Sequence, residues 1–348
     1  MAEFLMPENT VVAPVNGEAN SGASPLGTGA VRRGPIGDIA LVDGALIAAN
    51  YGDDTVALIN PHTLGVSALI AVPGEPVAVV TRDDRAYVST SSFNTDAVSV
   101  IDTAAGAVLA TYALAYSVTA LAVSPDGKRV YAGRTGDDHV DVAVIDTTAE
   151  RVGTIDIAGG AGAGIDALAV DATGKRLYVA TSEAEGSALV VVNLETAAVE
   201  RRLRIGAPIR GLALDGATAY VLTSDRVRGG VVHVVDVAGG AVADRIELGT
   251  GAPTQLMLAA GDTRAYIVDY DRVMVLSTAS RRVVDTITVS ARPSCIAVDA
   301  VGGHAYVADY SGVVTRFAVP ATPMLYSDFV ATDPIHVPDA LELLPASV

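Results

Sequence analysis

Three places in this chain set an Asp or Asn directly before a tyrosine: Asn50-Tyr51, Asp269-Tyr270 and Asp309-Tyr310, with Asp53, Asp54 and Asp271 close by. Carboxylate and amide oxygens of this kind can hold Ca²⁺ or another hard cation. Tyrosine faces can stack on a sugar or a cationic ligand. The same Asp and Asn residues, placed at the end of a strand, also cap the following turn through their own backbone. Capping is the preferred reading, so no metal and no cofactor is expected.

Other candidates for chemistry are sparser. Asp166 and Arg210 each stand near the start of a short apolar run, GIDALAV and IRGLAL. An ion pair between neighbouring segments is the plain expectation for them, and ligand anchoring by Arg210 the alternative. The histidines His62, His139, His233, His304 and His336 are scattered, with no spacing that resembles a zinc site. His233 lies in the apolar run VVHVVDV and reads as a hydrogen-bonded, partly buried side chain. The single Cys295 excludes an internal disulfide and, within SCIAVDA, reads as a buried, inert thiol. GAGIDA, from Gly162, spells a G-x-G-x-x-A dinucleotide pattern but leads into a strand, so no helix N-terminus is there to hold a phosphate. Neither a GxSxG elbow nor a Walker-type loop occurs.

The elements that must position these residues come from a repeat. Ile47, Tyr87, Tyr131, Tyr178, Tyr220, Tyr266 and Tyr306 mark seven copies of one phrase, at intervals of 40 to 47 residues. Periods of this length mean propellers, solenoids or arrays. Each copy holds four short, β-branched runs bounded by Gly, Pro, Asp and Asn, the pattern of strands. In the third copy these are VTALAV, the turn SPDGK, RVYAG, the loop RTGDDHV, DVAVID, the turn TTAE and RVGTIDI. Four strands repeated seven times predict an all-β, seven-bladed β-propeller of antiparallel blades, closed by a terminal strand. Three residues past each register mark falls a ring of side chains: Asn50, Thr90, Arg134, Thr181, Thr223, Asp269 and Asp309. The three that precede tyrosine belong to repeats six, seven and one, neighbours in a closed ring. They predict one acidic, aromatic sector on the rim where second and third strands connect, which is also the rim of variable loops.

The stretch GKRLYVATSEAEGSALVVVNLETAAVERRLRIG, from Gly174 to Gly206, resembles the YVTN-type seven-bladed propeller repeats of bacteria and archaea. The resemblance recurs in every unit and implies the fold; its matching positions are core and turn positions, so it implies no particular activity. Seven-bladed lactonases that act on sugar lactones have a similar ring and size. Their sites use acidic, His or Arg residues at the channel mouth, for which Asp269, Asp309, Asp166 and Arg210 are the candidates here.

Half of the 348 residues are apolar, 18% are charged and the net charge is −17. Such a chain buries a large core and repels polyanions, which argues against nucleic acid and anionic membranes as partners. No apolar run is long enough to span a bilayer. The N-terminus lacks a basic region followed by an apolar stretch, so cytoplasmic location is the default expectation, exported if a signal was removed. The domain reading is an N-terminal segment over 1–35, a propeller over 36–323 and a surface tail over 324–348. Residues 10–15 and 324–330 are the candidate closing strands, the N-terminal one preferred because LGTGA from Leu26 echoes LGTGAP from Leu248. The functional expectation is a monomeric, non-enzymatic scaffold that binds a protein or small ligand on the loop rim through Asn50, Tyr51, Asp269, Tyr270, Asp309, Tyr310 and Arg210. The alternative is a lactonase-type hydrolase.

Overall fold

Each repeat folds as four consecutive antiparallel strands because its runs are too short and too β-branched for helix and are separated by residues that turn the chain. In the computed structural model, residues 23 and 25–319 are described, apart from 24, 32–33, 94, 116, 160–161, 226–228, 250, 259–262, 300 and 302. They form seven four-stranded sheets and no helix. Blades one to six span residues 36–71, 75–114, 117–159, 164–206, 209–247 and 255–288. Blade seven takes three strands from residues 293–318 and its fourth, Pro25–Ala30, from the N-terminal side, paired antiparallel with Val313–Ala318. The closing strand therefore contains LGTGA itself. Residues 10–15 and 324–330, named above as closing candidates, and the tail over 324–348 lie outside the described residues.

The core is divided into seven apolar clusters, one at each blade-to-blade interface. The register residue of each blade fills the interface with the next: Tyr87 between two and three, Tyr131 between three and four, and Tyr306 between seven and one. A buried tyrosine needs a partner for its hydroxyl. Tyr87 Oη finds one in the carbonyl of Gly127, 3.2 Å away in the SPDGK turn of the next blade. That turn is tied by Asp126, whose Oδ1 accepts from Ser124 Oγ and Lys128 N, and Gly127 supplies its positive φ of 69°.

The Asp or Asn that closes the third strand in blades one to five has an equally local cause. Asn60, Asp102, Asp146, Asn193 and Asp236 accept hydrogen bonds from backbone N–H groups two or three residues on, which builds the turn into the fourth strand. The sequence phrase thus records turn chemistry at one rim and core packing between blades, and leaves the other rim free to vary.

Closure of the ring also depends on Gly29. A β-carbon there would lie 2.7 Å from Leu64 Cβ and closer still to the Leu64 carbonyl oxygen, on the third-to-fourth-strand turn of blade one. Gly29→Ala should therefore push the closing strand off its neighbour and destabilise the fold by about 1–3 kcal/mol. Urea denaturation of the two proteins measures this; an unchanged midpoint would show that the seam yields without strain.

Candidate functional site

The second strands end where the inner strands begin. Asn50 pairs with Ile36, Thr90 with Pro76, Arg134 with Val118, Thr181 with Ile165, Thr223 with Ile209 and Asp309 with Pro293. Asp269 follows the end of its strand, Arg264–Val268. The ring of side chains read from the repeat therefore lies along one rim, and all but Asp309 are buried.

Their oxygens are largely committed. Asp309 Oδ1 accepts from Ser311 N at 2.8 Å, Ser311 Oγ at 2.6 Å and Val313 N at 3.1 Å, a complete turn cap. Asp269 Oδ1 accepts from Ala252 N at 2.8 Å, and its Oδ2 lies 3.6 Å from Arg272 Nε. Asn50 Nδ2 donates to Thr55 Oγ1 at 3.0 Å, and Thr55 in turn bonds to Asp53; the buried Asn50 Oδ1 has no partner. Among the described residues no group of three or more His, Cys, Asp or Glu is placed to hold a metal ion.

The three tyrosines are exposed, at 42% for Tyr51, 61% for Tyr270 and 44% for Tyr310, but they do not form one cluster. The guanidinium of Arg292, on the connection from blade six to blade seven, stands 5.0 Å from the centre of the Tyr270 ring and 4.7 Å from that of Tyr310. Two aromatic faces thus hold one cation between neighbouring blades. Tyr51 turns the other way, toward blade two, where its hydroxyl bonds to the Glu75 carboxylate, which raises the phenol's pKa. Arg292 precedes Pro293 in a connection and carried no sequence signal of its own. Only the placement of both tyrosines on the same rim could have pointed to it.

Asp166 and Arg210 occupy the same structural position, as the repeat implies. Each is the extra residue of a β-bulge at the start of an inner strand, where the register slips between Ile165 and Ala167 and between Ile209 and Gly211. The expected ion pair does not form: among the described residues no salt bridge joins them. Bulges on strands of adjacent blades hold the two groups apart, and Arg210 stays exposed and acts on Asp166 only through its field. Asp166 Oδ1 is 3.5 Å from Ser182 Oγ, and its buried Oδ2 has no partner. Burial raises its carboxyl to about 6, against the lowering influence of Ser182 and Arg210.

Two polar arrangements escaped the sequence reading. Arg134 forms a buried, bidentate pair with Asp141, at 2.6 and 2.9 Å, and its Nη2 reaches Thr154 Oγ1 at 3.2 Å. The two residues face each other across a hairpin, so their register could have revealed the pair. Asp38, on the inner strand of blade one, accepts from Val79 N of blade two and Gln255 Nε2 of blade six, and burial lifts its carboxyl to about 6. Cys295 is buried between blades seven and one, and burial pushes its thiol pKa well up, which makes it inert as a nucleophile.

The YNCE-like β-propeller family matches residues 31–319, the whole ring except the closing strand Pro25–Ala30. The chain belongs to the YNCE-like β-propeller family. It is 54% identical over 319 residues to a seven-bladed β-propeller protein of Mycolicibacterium smegmatis, covering 91% of this chain and 86% of that one. It is 34% identical over 331 residues to the seven-bladed β-propeller protein Rv1057 of Mycobacterium tuberculosis, covering 84% of each. Among solved structures, Kuenenia stuttgartiensis hydrazine synthase superposes with a TM-score of 0.75 over 84% of this chain and 97% of that one. At 18% identity that likeness shows the fold alone.

Asp166 gives a pH dependence whose sign follows from its raised pKa. The folded state holds this proton more tightly than the unfolded chain, so the stabilisation is full in acid and is lost as pH rises through about 6. Asp166→Asn should be more stable than wild type above about pH 7, with the advantage gone near pH 4. Thermal melts of both proteins across that range check it. A constant difference at every pH would show that the carboxylate is solvated.

Proposed function

We propose that this propeller is a binding scaffold that takes a partner protein or a small ligand on the rim of the second-to-third-strand loops. The Tyr270-Arg292-Tyr310 stack is its anchor. The observation that carries the reading is the stack itself: two exposed aromatic rings and one cation, pre-arranged on loops held by two rigid blades. Tyr and Arg are the residue types that dominate binding hot spots, because they bring large contact area at small entropic cost. The neighbouring carboxylates support binding rather than proton transfer, since Asp309 and Asp269 already accept bonds from backbone N–H groups.

The hydrolase reading rests on a different residue. Asp166, at the mouth of the channel with a carboxyl raised to about 6, has the protonation behaviour of a general acid or base. Ser182 Oγ, the hydroxyl beside it among the described residues, is 3.5 Å away, beyond the reach of efficient proton transfer, which places this reading second.

The test compares immobilised wild type, Tyr270→Ala/Tyr310→Ala and Lys175→Ala, the last on the opposite rim. A partner or ligand retained by wild type and Lys175→Ala should lose at least about tenfold in affinity with the double variant. Equal retention by all three would remove the stack from the binding surface. Sugar-lactone hydrolysis abolished by Asp166→Asn would replace the scaffold reading with the hydrolase.

A further inference from the structure

On the flank of the ring, away from the tyrosine rim sector, a cleft of about 750 Å³ opens between blades four and five. Its walls include Ile205 from the outer strand of blade four, and Thr223, His233, Arg245 and Glu247 from the outer three strands of blade five. The volume falls in the range of small-molecule sites.

His233 is the unusual member. It is 6% exposed, and its Nε2 lies 3.2 Å from Thr223 Oγ1. Thr223 gives its single hydroxyl proton to the Val231 carbonyl at 3.1 Å. Its oxygen must therefore accept from the histidine, which places the imidazole proton on Nε2 and leaves Nδ1 as a bare acceptor. Nδ1 has no hydrogen-bond partner. Burial and the nearby charge of Arg245 lower the pKa of the ring and keep it neutral.

The scaffold does not ask for a histidine at this place. Register pairing equates His233 with Ala57, Ser99, Ala143, Val190, Met274 and Thr315 in the other six blades. Arg245, its partner across the outer strand pair, has an equally telling counterpart in Arg202 of blade four. Arg202 Nη2 reaches across the preceding groove to the Ile157 carbonyl at 3.0 Å, and its other nitrogen pairs with Glu183. That groove is bridged. Among the described residues the guanidinium of Arg245 makes no such bridge and its groove stands open.

We propose that this cleft binds a small hydroxylated anion, a sugar acid or a phosphosugar, whose acidic group pairs with Arg245 and whose hydroxyl donates to Nδ1 of His233. A hydroxyl fits better than an ammonium, because the Arg245 charge already disfavours a second cation beside the ring. The carboxylate of Glu247 offers an acceptor to a further hydroxyl. Ile205 supplies an apolar wall for the carbon skeleton.

Calorimetric titration with gluconate, glucose 6-phosphate, glucose and hexanoate tests both recognition points. Wild type should bind gluconate, glucose 6-phosphate or both, the choice between them telling whether carboxylate or phosphate is the native group. It should bind neither glucose, which lacks the anion, nor hexanoate, which lacks the hydroxyls. Arg245→Ala and His233→Val should each weaken binding by at least about tenfold, while Arg202→Ala leaves it unchanged. Valine is the residue at the equivalent Val190, so His233→Val should keep the wild-type melting temperature; if it does not fold, the exposed Arg245 still decides the matter. Failure of both anions to bind at millimolar concentration overturns the proposal. So does binding indifferent to Arg245→Ala, or equal binding of glucose or hexanoate.

Discussion

Everything in this molecule depends on burying both faces of every blade, including those of blade seven, where Pro25–Ala30 pairs with Val313–Ala318. Each sheet is apolar on both sides, and no blade can hide its surface alone. The seven interfacial clusters are therefore one continuous requirement, and the closing strand on blade seven is what holds the ring shut. The register residue of each blade, Ile47 in blade one and tyrosine in the other six, packs into the next, so each interface is specified by residues from two repeats. A defect at any interface is felt around the ring.

The inner wall shows a second consequence of that geometry. The inner strand of each blade is a sheet edge, so one row of its backbone groups has no strand to pair with, and buried backbone polar groups must find partners. Side chains of adjoining blades supply them. Asp38 accepts from Val79 N, Gln255 Oε1 accepts from Ile296 N, Thr81 Oγ1 donates to the Leu41 carbonyl and Thr119 Oγ1 to that of Ile165. Each bond crosses from one blade to another. The polar residues of the channel are in this way structural fasteners, and Asp38 holds that place although burial disfavours its charge.

What the sequence made legible follows from the same constraint. Tyr87 or Asp146 could be read because packing and turn geometry demand the same residue type at the same place in repeat after repeat, and period reveals such demands. Arg292 could not, because its function lies between two loops of different repeats and nowhere within one. The Asp166 and Arg210 positions were correctly equated, yet their contact was not, since a bulge moves a side chain without leaving a mark in the residue pattern. Tyr51 likewise belongs to the sector by position and to Glu75 by contact. The turn cap of Asp309 was readable because its partners lie within four residues in sequence, whereas Asp269 does not cap the turn that follows it and bonds instead to Ala252 N, 17 residues earlier on the connection into its blade.

A repeat protein separates scaffold from function by comparison with itself. A position that seven blades fill with one type of residue answers to the ring. A position where one blade departs, and where the departure leaves a polar group unsatisfied, cannot be explained by the ring, because the other six show that the fold does without it. His233 meets that criterion in blade five, and Arg245 beside it shares its residue type with Arg202 of blade four alone among the described blades. The Tyr270 and Tyr310 rings meet a weaker form of it, as exposed aromatic surface that the ring does not use and that a cation already organises. Both lie beside the apolar clusters that join neighbouring blades and outside the residues that make them up, where a side chain can change without opening the ring.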